Sequence, residues 1–175
     1  DFVQTITPLG NYRASQHTIS LGLETSLESY LDFVSKTLFD AYTTRIDLRG
    51  GVKEKLLELK NAGHSLNVLT ASPHPMLDPC LKRLGMWELF DNIWSCDDFQ
   101  TTKADPQIYV KAAERLCTSV EKVLFLDDNL SADLTAKSAG MQVCGVYDES
   151  SKDYVEQMKA ATDFYIYDFQ ELLDS

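Results

Sequence analysis

The chain has 175 residues, of which 44% are hydrophobic and 10% aromatic, and a formal net charge of −11 at pH 7. This length and apolar content suit one folded domain, or one domain with a small appendage. The acidic balance, with a sequence pI of about 4.6, argues against nucleic acid or an anionic membrane surface as a partner. An anionic substrate would therefore have to be drawn in locally, by a metal ion, a lysine or backbone N–H groups.

The cysteines and histidines carry no motif of their own. The four cysteines contain no CxxC pair, and Cys96 and Cys144 fall on predicted buried strands, which favours small apolar roles in a reducing compartment. No apolar run reaches the length of a transmembrane helix and no signal peptide opens the chain, so we expect a cytoplasmic protein without membrane contact. His17, His64 and His74 show no metal-ligand spacing, and we assign them no role.

The first third of the chain is predicted to be helical. Residues 1–23 show little periodicity, and a second helix within residues 6–48 is left open. Apolar residues then recur at helical spacing over residues 25–42. Arg49-Gly50-Gly51 breaks the pattern before a further helix at 52–62, which ends at Gly63.

From residue 65 onward, short apolar runs alternate with helical patterns. The predicted strands are 65–70, 92–96, 123–126, 142–146 and, as an edge strand, 164–167. The predicted helices are 73–84 with Ser72 as N-cap, one opening at Asp105-Pro106, one ending at Ala139, one at 152–160 and a short terminal one. This alternation predicts βαβ units and a doubly wound parallel sheet.

The most informative stretch is VLFLDDNLSADLTAKSAG, residues 123–140. A buried strand delivers Asp127 and Asp128 at its carboxyl end, and Asp133 follows in the next helix. Neighbouring carboxylates at the mouth of an open α/β sheet either hold a cation or have perturbed pKa values. The alternative is that Asp127 and Asp128 only cap the following helix.

Two other strand ends carry polar residues. The strand SLNVLT ends in Thr70, followed by Ala71, where a hydroxyl beside free helix N–H groups suits a phosphate oxygen. Ser72 is expected only to cap its helix. Lys103 stands in the loop before the next helix, and an ammonium there is either a phosphate ligand or a solvated charge.

In this order, Thr70, Lys103 with ADPQIY, and FLDDNLSAD resemble the second, third and fourth motifs of the haloacid dehalogenase-like hydrolase superfamily. The resemblance covers residues 50–147 well and points to the phosphatase branch similar to phosphoglycolate phosphatases, with a small helical cap. It implies a Rossmann-like sheet of order 5-4-1-2-3, in which strand 1 leads to the first motif. It also implies phosphoryl transfer through an aspartyl-phosphate with Mg²⁺. Thr70, Ala71 and Lys103 would bind the phosphoryl group.

The metal ligands implied by the resemblance come from both ends of the site. Asp128 would hold Mg²⁺, directly or through water, and Asp127 and Asp133 would support it. Asp1 would be the nucleophile and a metal ligand, and the backbone carbonyl of Val3 would complete the set if the chain is read without a gap.

The first motif, DxDxT in the family, reads DFVQT here. Without a gap, Asp1 and Thr5 are in place but Val3 replaces the acid/base, and losing a general acid typically costs about 10²–10⁴-fold. Alternatively, about four residues are absent between Phe2 and Val3, and the acid/base lies in that gap. The second interpretation also explains why the central strand expected before Asp1 is not in this sequence. A continuous Phe2–Val3 bond in the encoded protein would exclude this interpretation.

We therefore expect a core of residues 1–5 and 49–175 and a small helical cap of residues 6–48. The predicted function is an Mg²⁺-dependent phosphomonoesterase for a small phosphorylated metabolite, acting as a monomer or weak dimer. The alternative is a catalytically impaired relative that binds phosphate or a partner, if Val3 truly replaces the acid/base. A phospho-receiver domain uses similar residues in another order and ranks last.

Overall fold

The structure, a computed structural model, describes residues 10–172, so the predictions for Asp1, Val3 and Thr5 lie outside the described residues. Contacts within the chain divide it into two compact units, with the boundary between Ile46 and Asp47. This division falls close to the predicted border between cap and core, and the assignment of the first unit as a cap stays a prediction.

The first unit contains two α-helices and a π-helical turn in its described part. They are α1 (Gly10–Ser20), α2 (Leu27–Asp40) and the turn Ala41–Arg45. Ser26 begins α2, because its side chain accepts a hydrogen bond from the backbone N–H of Ser29 at 3.1 Å. Helix α1 is the second helix that the sequence left open in residues 6–48, and no bounds were predicted for it. That segment lacks an apolar stripe, and its helix packs against α2, so tertiary contact outweighs weak local propensity there.

The second unit alternates strands and helices. Its strands are β1 (Asn67–Thr70), β2 (Asn92–Ser95), β3 (Leu124–Asp127), β4 (Gln142–Val146) and β5 (Phe164–Ile166). Its α-helices are α3 (Val52–Asn61), α4 (His74–Arg83), α5 (Gln107–Arg115), α6 (Leu130–Ser138) and α7 (Val155–Ala161). Short 3₁₀ turns lie at Trp87–Leu89, Cys96–Phe99, Val120–Lys122, Glu149–Tyr154 and Phe169–Glu171.

All strand pairs are parallel. β1 pairs with β2, and β3, β4 and β5 pair in that order. The predicted α/β class with parallel strands is therefore confirmed. Residues 10–172 contain a two-stranded and a three-stranded sheet. The strand that the predicted order places between β1 and β3 would lead to Asp1, outside the described residues.

Two apolar clusters support these sheets. The larger one surrounds α5 and contains Cys96, Phe99, Ile108, Tyr109, Ala112, Ala136, Met141 and Val143. The smaller one joins Cys144, Val146 and Ile166. Cys96 and Cys144 are buried and all four cysteines are free, as their predicted small apolar role requires. Cys96 nevertheless lies in a 3₁₀ turn and not on a strand, because β2 ends at Ser95, whose side chain caps that turn.

None of the helices within residues 10–172 has the length and apolar character needed to cross a membrane.

Candidate active site

The site is built on the last residue of β3, Asp127. Its side chain is only 9% exposed, and its Oδ2 accepts a hydrogen bond from the Lys103 ammonium at 2.6 Å. Its Oδ1 accepts from the backbone N–H of Asn129 at 2.9 Å. Helix α6 is capped by Asn129 itself, whose side chain accepts from the N–H of Ala132 at 3.1 Å. Neither Asp127 nor Asp128 is therefore the helix cap, and that alternative was wrong.

Lys103 reaches Asp127 from the loop that follows β2. Its ammonium lies 5.5 Å from the centre of the Phe125 ring, on the same strand as Asp127. The Lys103 side chain is 25% exposed, so the ion pair is partly shielded from water. The sequence left open whether Lys103 binds phosphate or is a solvated charge. In the structure its ammonium is held against a largely buried carboxylate.

Asp128 faces an open pocket of about 250 Å³. The pocket is lined by Arg49, Leu126, Asp127, Asp128, Val146 and Phe169. Although Asp128 reaches solvent there, the pKa of its carboxyl is raised, first because surrounding protein displaces water and then because Asp127 and Asp148 are also negative. A cation in this pocket would relieve that repulsion.

Asp133 is buried in α6, with 1% of its surface exposed. Neither of its carboxyl oxygens has a hydrogen-bond partner among the described residues. Burial raises its pKa to about 8, with further contributions from the charges of Asp127 and Asp128, and Lys103 opposes the shift. A buried carboxyl without a partner is costly and points to a ligand or function.

The carboxylates suit a hard cation such as Mg²⁺, which prefers oxygen ligands and is held through one or two carboxylates. The unpartnered oxygens of Asp133 and the raised pKa of Asp128 both indicate acidic groups whose ionised forms a bound cation would stabilise. Within residues 10–172, no group of three or more His, Cys, Asp or Glu side chains is arranged to hold a metal ion. The other expected ligands, Asp1 and the Val3 carbonyl, lie outside the described residues.

The end of β1 is organised by Thr70. Its Oγ1 accepts a hydrogen bond from the backbone N–H of Ser72 at 3.1 Å, and its backbone lies opposite Ser95 of β2. Ala71 lies in the turn that follows. Helix α4 begins at His74 with Pro73 in the N-cap position, so the prediction that Ser72 caps it was wrong. No hydrogen bond described within residues 10–172 joins Thr70 to the Lys103–Asp127 pair.

Two polar residues beside the site were missed by the sequence analysis. His74, to which no role was assigned, contacts Asp78 through Nδ1 and Asp98 through Nε2, both at 2.8 Å. Arg49, predicted only as part of a chain break, donates to the Tyr147 carbonyl at 2.6 Å and forms an ion pair with Asp148. Asp78 lies one helical turn from His74, a weak local signal. The other partners are distant in sequence.

Parallel βα units with an ion-paired lysine and carboxylates at a strand end define an α/β protein of the Rossmann-like type with its site at the carboxyl ends of the strands. The chain belongs to the haloacid dehalogenase-like hydrolase family, whose model matches residues 4–146. The predicted family is therefore confirmed.

Relatives and solved structures extend this result. The chain is 30% identical over 123 residues to a phosphorylated carbohydrates phosphatase of Thermotoga maritima, covering 70% of this chain and 57% of the relative. It is 30% identical over 146 residues to a phosphoglycolate phosphatase of Salmonella typhi, covering 80% and 57%. The fold matches an Entamoeba histolytica hydrolase of the family at a TM-score of 0.76 and 22% identity, covering 98% and 78%. The chain thus spans about half the length of the curated relatives it matches.

Proposed function

We propose that this chain is part of an Mg²⁺-dependent phosphomonoesterase that acts on a small phosphorylated metabolite through an aspartyl-phosphate. The observation that carries the proposal is the Lys103 ammonium, 2.6 Å from Asp127, beside the carboxyls of Asp128 and Asp133 that have no cationic side chain bonded to them in residues 10–172. The phosphatases named among the relatives support the same reaction class.

Each residue receives a role by its chemistry. The Asp1 carboxylate would attack phosphorus as the P–O bond to the leaving group breaks, and the leaving oxygen would take a proton from water or from the acid/base of an intact first motif. Water would then hydrolyse the acyl phosphate, which releases inorganic phosphate and restores the carboxylate. The Thr70 hydroxyl, the Ala71 backbone N–H and the Lys103 ammonium would bind the phosphoryl oxygens, which carry negative charge throughout. Because the whole chain has a net charge of −11, such local donors are needed to attract an anion.

The cation would be held by Asp128, with Asp127 and Asp133 in support and Asp1 and the Val3 carbonyl as further ligands. Mg²⁺ would neutralise charge on the phosphoryl oxygens. The protein's own part is to place the Asp128 carboxyl at the pocket and to hold Lys103 against Asp127.

We further propose that residues 6–48 are a cap domain and residues 1–5 and 49–175 the core domain, and that the protein is cytoplasmic and a monomer or weak dimer. The division of the chain between Ile46 and Asp47 supports this domain border. No partner other than the metabolite is proposed.

The test is release of inorganic phosphate from p-nitrophenyl phosphate and a panel of phosphorylated metabolites, with and without Mg²⁺. We expect Mg²⁺-dependent turnover that falls by about 10²-fold or more in Lys103→Met, since a group that stabilises developing charge is lost. Lys111→Met, at an exposed position of α5, is the matched control and should leave turnover unchanged. Phosphate binding without any turnover would refute the proposal and favour the impaired relative.

A further inference from the structure

Tyr109, in the first turn of α5, is a fully buried tyrosine at the junction of three segments that carry site residues. Its hydroxyl lies 3.0 Å from the backbone carbonyl oxygen of Lys103 and 3.2 Å from that of Ala132. Its ring packs edge-on against Phe125, with ring centres 5.0 Å apart. One side chain therefore touches the Lys103 loop, helix α6 beside Asp133, and strand β3.

The hydroxyl, and not only the ring, is placed for this contact. A tyrosine hydroxyl has a single proton to donate, and two carbonyl oxygens lie within hydrogen-bond distance of this one, one from the loop and one from the helix. Burial raises the pKa of the Tyr109 hydroxyl well above its usual value of 10, and the nearby charge of Asp127 adds to the shift, so the proton is retained. A phenylalanine would fill the same space without joining the two carbonyls.

The Lys103 side chain extends from this held carbonyl to strand β3. Its ammonium lies 5.5 Å from the centre of the Phe125 ring and donates to Asp127 at 2.6 Å. The Tyr109 hydroxyl and the Asp127 carboxylate therefore hold Lys103 at its backbone and at its ammonium.

We propose that the Tyr109 hydroxyl is a positioning group that sets the Lys103 ammonium against Asp127. The inference rests on the proposed function only in so far as the pair serves catalysis. Removing a group that orients a ligand or a catalytic side chain typically lowers affinity or activity by about 10–100-fold, because small displacements of a reacting group are costly.

The test compares Tyr109→Phe with Tyr165→Phe in the full chain. Tyr165 is the matched control, because its hydroxyl is also buried but has no hydrogen-bond partner among the described residues. The first readout is the ¹H–¹⁵N signal of the Lys103 ε-ammonium, assigned with Lys103→Met. We expect slow proton exchange in the wild type and in Tyr165→Phe, and exchange at least about tenfold faster in Tyr109→Phe, because a looser ion pair protects the ammonium less.

The second readout is turnover of p-nitrophenyl phosphate with Mg²⁺, alongside the melting temperature. We expect kcat to fall by about 10–100-fold in Tyr109→Phe with little change in KM, and to stay at the wild-type value in Tyr165→Phe. A merely structural hydroxyl would lower the melting temperature and leave the ammonium exchange and kcat unchanged, which would overturn the inference.

The readouts separate this inference from the proposed function. If the wild type shows no turnover, the proposed function fails, and the ammonium exchange still decides the role of Tyr109. If Tyr109→Phe does not fold, the Tyr109 hydroxyl proton of the wild type is observed instead. Slow exchange and magnetisation transfer to Lys103 support the inference, and a hydroxyl that exchanges freely with water overturns it.

Discussion

The carboxyl of Asp133 gives the sharpest prediction for the stability of this chain. It is buried, both of its oxygens are without a hydrogen-bond partner in residues 10–172, and its pKa is raised to about 8. Asp133→Asn keeps the size and shape of the side chain and removes the ionisable group. We expect the variant to be more stable than the wild type near pH 8 in the absence of divalent cations.

The magnitude follows from proton linkage. Below the ordinary pKa of 3.8 the carboxyl is protonated in both folded and unfolded chains, and its ionisation imposes no penalty. As the pH rises toward 8, the folded chain keeps a proton that the unfolded chain loses, so the free energy of unfolding falls by about 1.4 kcal/mol per pH unit. Above this range the penalty levels off, on the order of 5 kcal/mol.

The assay is urea unfolding in chelator at several pH values between 5 and 8, the range over which Asp133 stays protonated only in the folded chain. The wild type should lose stability with pH more steeply than Asp133→Asn. Asp153→Asn, at an exposed position, is the control and should keep the wild-type slope. Equal slopes in the wild type and Asp133→Asn would refute the assignment of a buried carboxyl with a raised pKa.

Three further predictions concern the frame of the site. Hydrogen bonds to its two flanking carboxylates raise the pKa of His74 above 6.5, so its stabilisation is complete below pH 6.5 and is lost as the pH rises through the folded pKa. Solvent screens this partly exposed ring, so His74→Gln should cost at most about 1 kcal/mol, at low pH only, by urea unfolding. Gly145→Ala would place a Cβ 2.8 Å from the Tyr165 ring and should cost about 1–3 kcal/mol, measured by thermal unfolding. Asn129→Ala removes the α6 cap and should cost about 1 kcal/mol, with faster amide exchange confined to the first turn of α6 if the cap is its role. An unchanged exchange pattern there would contradict it.

The parts of the fold that the sequence predicts are those fixed by neighbouring residues. β3 was predictable because four apolar residues run directly into Asp127, and β4 because a short apolar run, Val143 to Val146, follows the helix-ending Gly140. Local sequence patterns of the same kind predicted the bounds of the strands and helices of the second unit to within a few residues. They predicted no bounds for α1, whose residues have no apolar period and whose helix depends on packing against α2.

Within the site, the residue types were predictable and their pairings were not. Lys103 and Asp127 are 24 residues apart, and nothing in the sequence distinguishes Asp127 from Asp128 as the partner of the lysine. His74 and Asp98 are likewise 24 residues apart. The N-cap at Asn129 was missed although Asn is a favoured N-cap residue. Asp127 and Asp128 directly precede it, and Asp is an equally favoured N-cap residue.

The geometry gives a physical reason for treating the three acids differently. Asp127 has its charge balanced by Lys103 and one oxygen bonded to a backbone N–H, so it holds the lysine in place. Asp128 and Asp133 receive no comparable balance, and the pKa values of both are raised, chiefly by burial and also by Asp127. A lysine ammonium has three donors, and one is used on Asp127, so the same group has two further donors to offer a phosphate. We infer that Asp127 links the two parts of the proposed site, because it supports the neighbouring cation ligand Asp128 and also holds Lys103 in place for the phosphate, while Asp133 supports the cation alone.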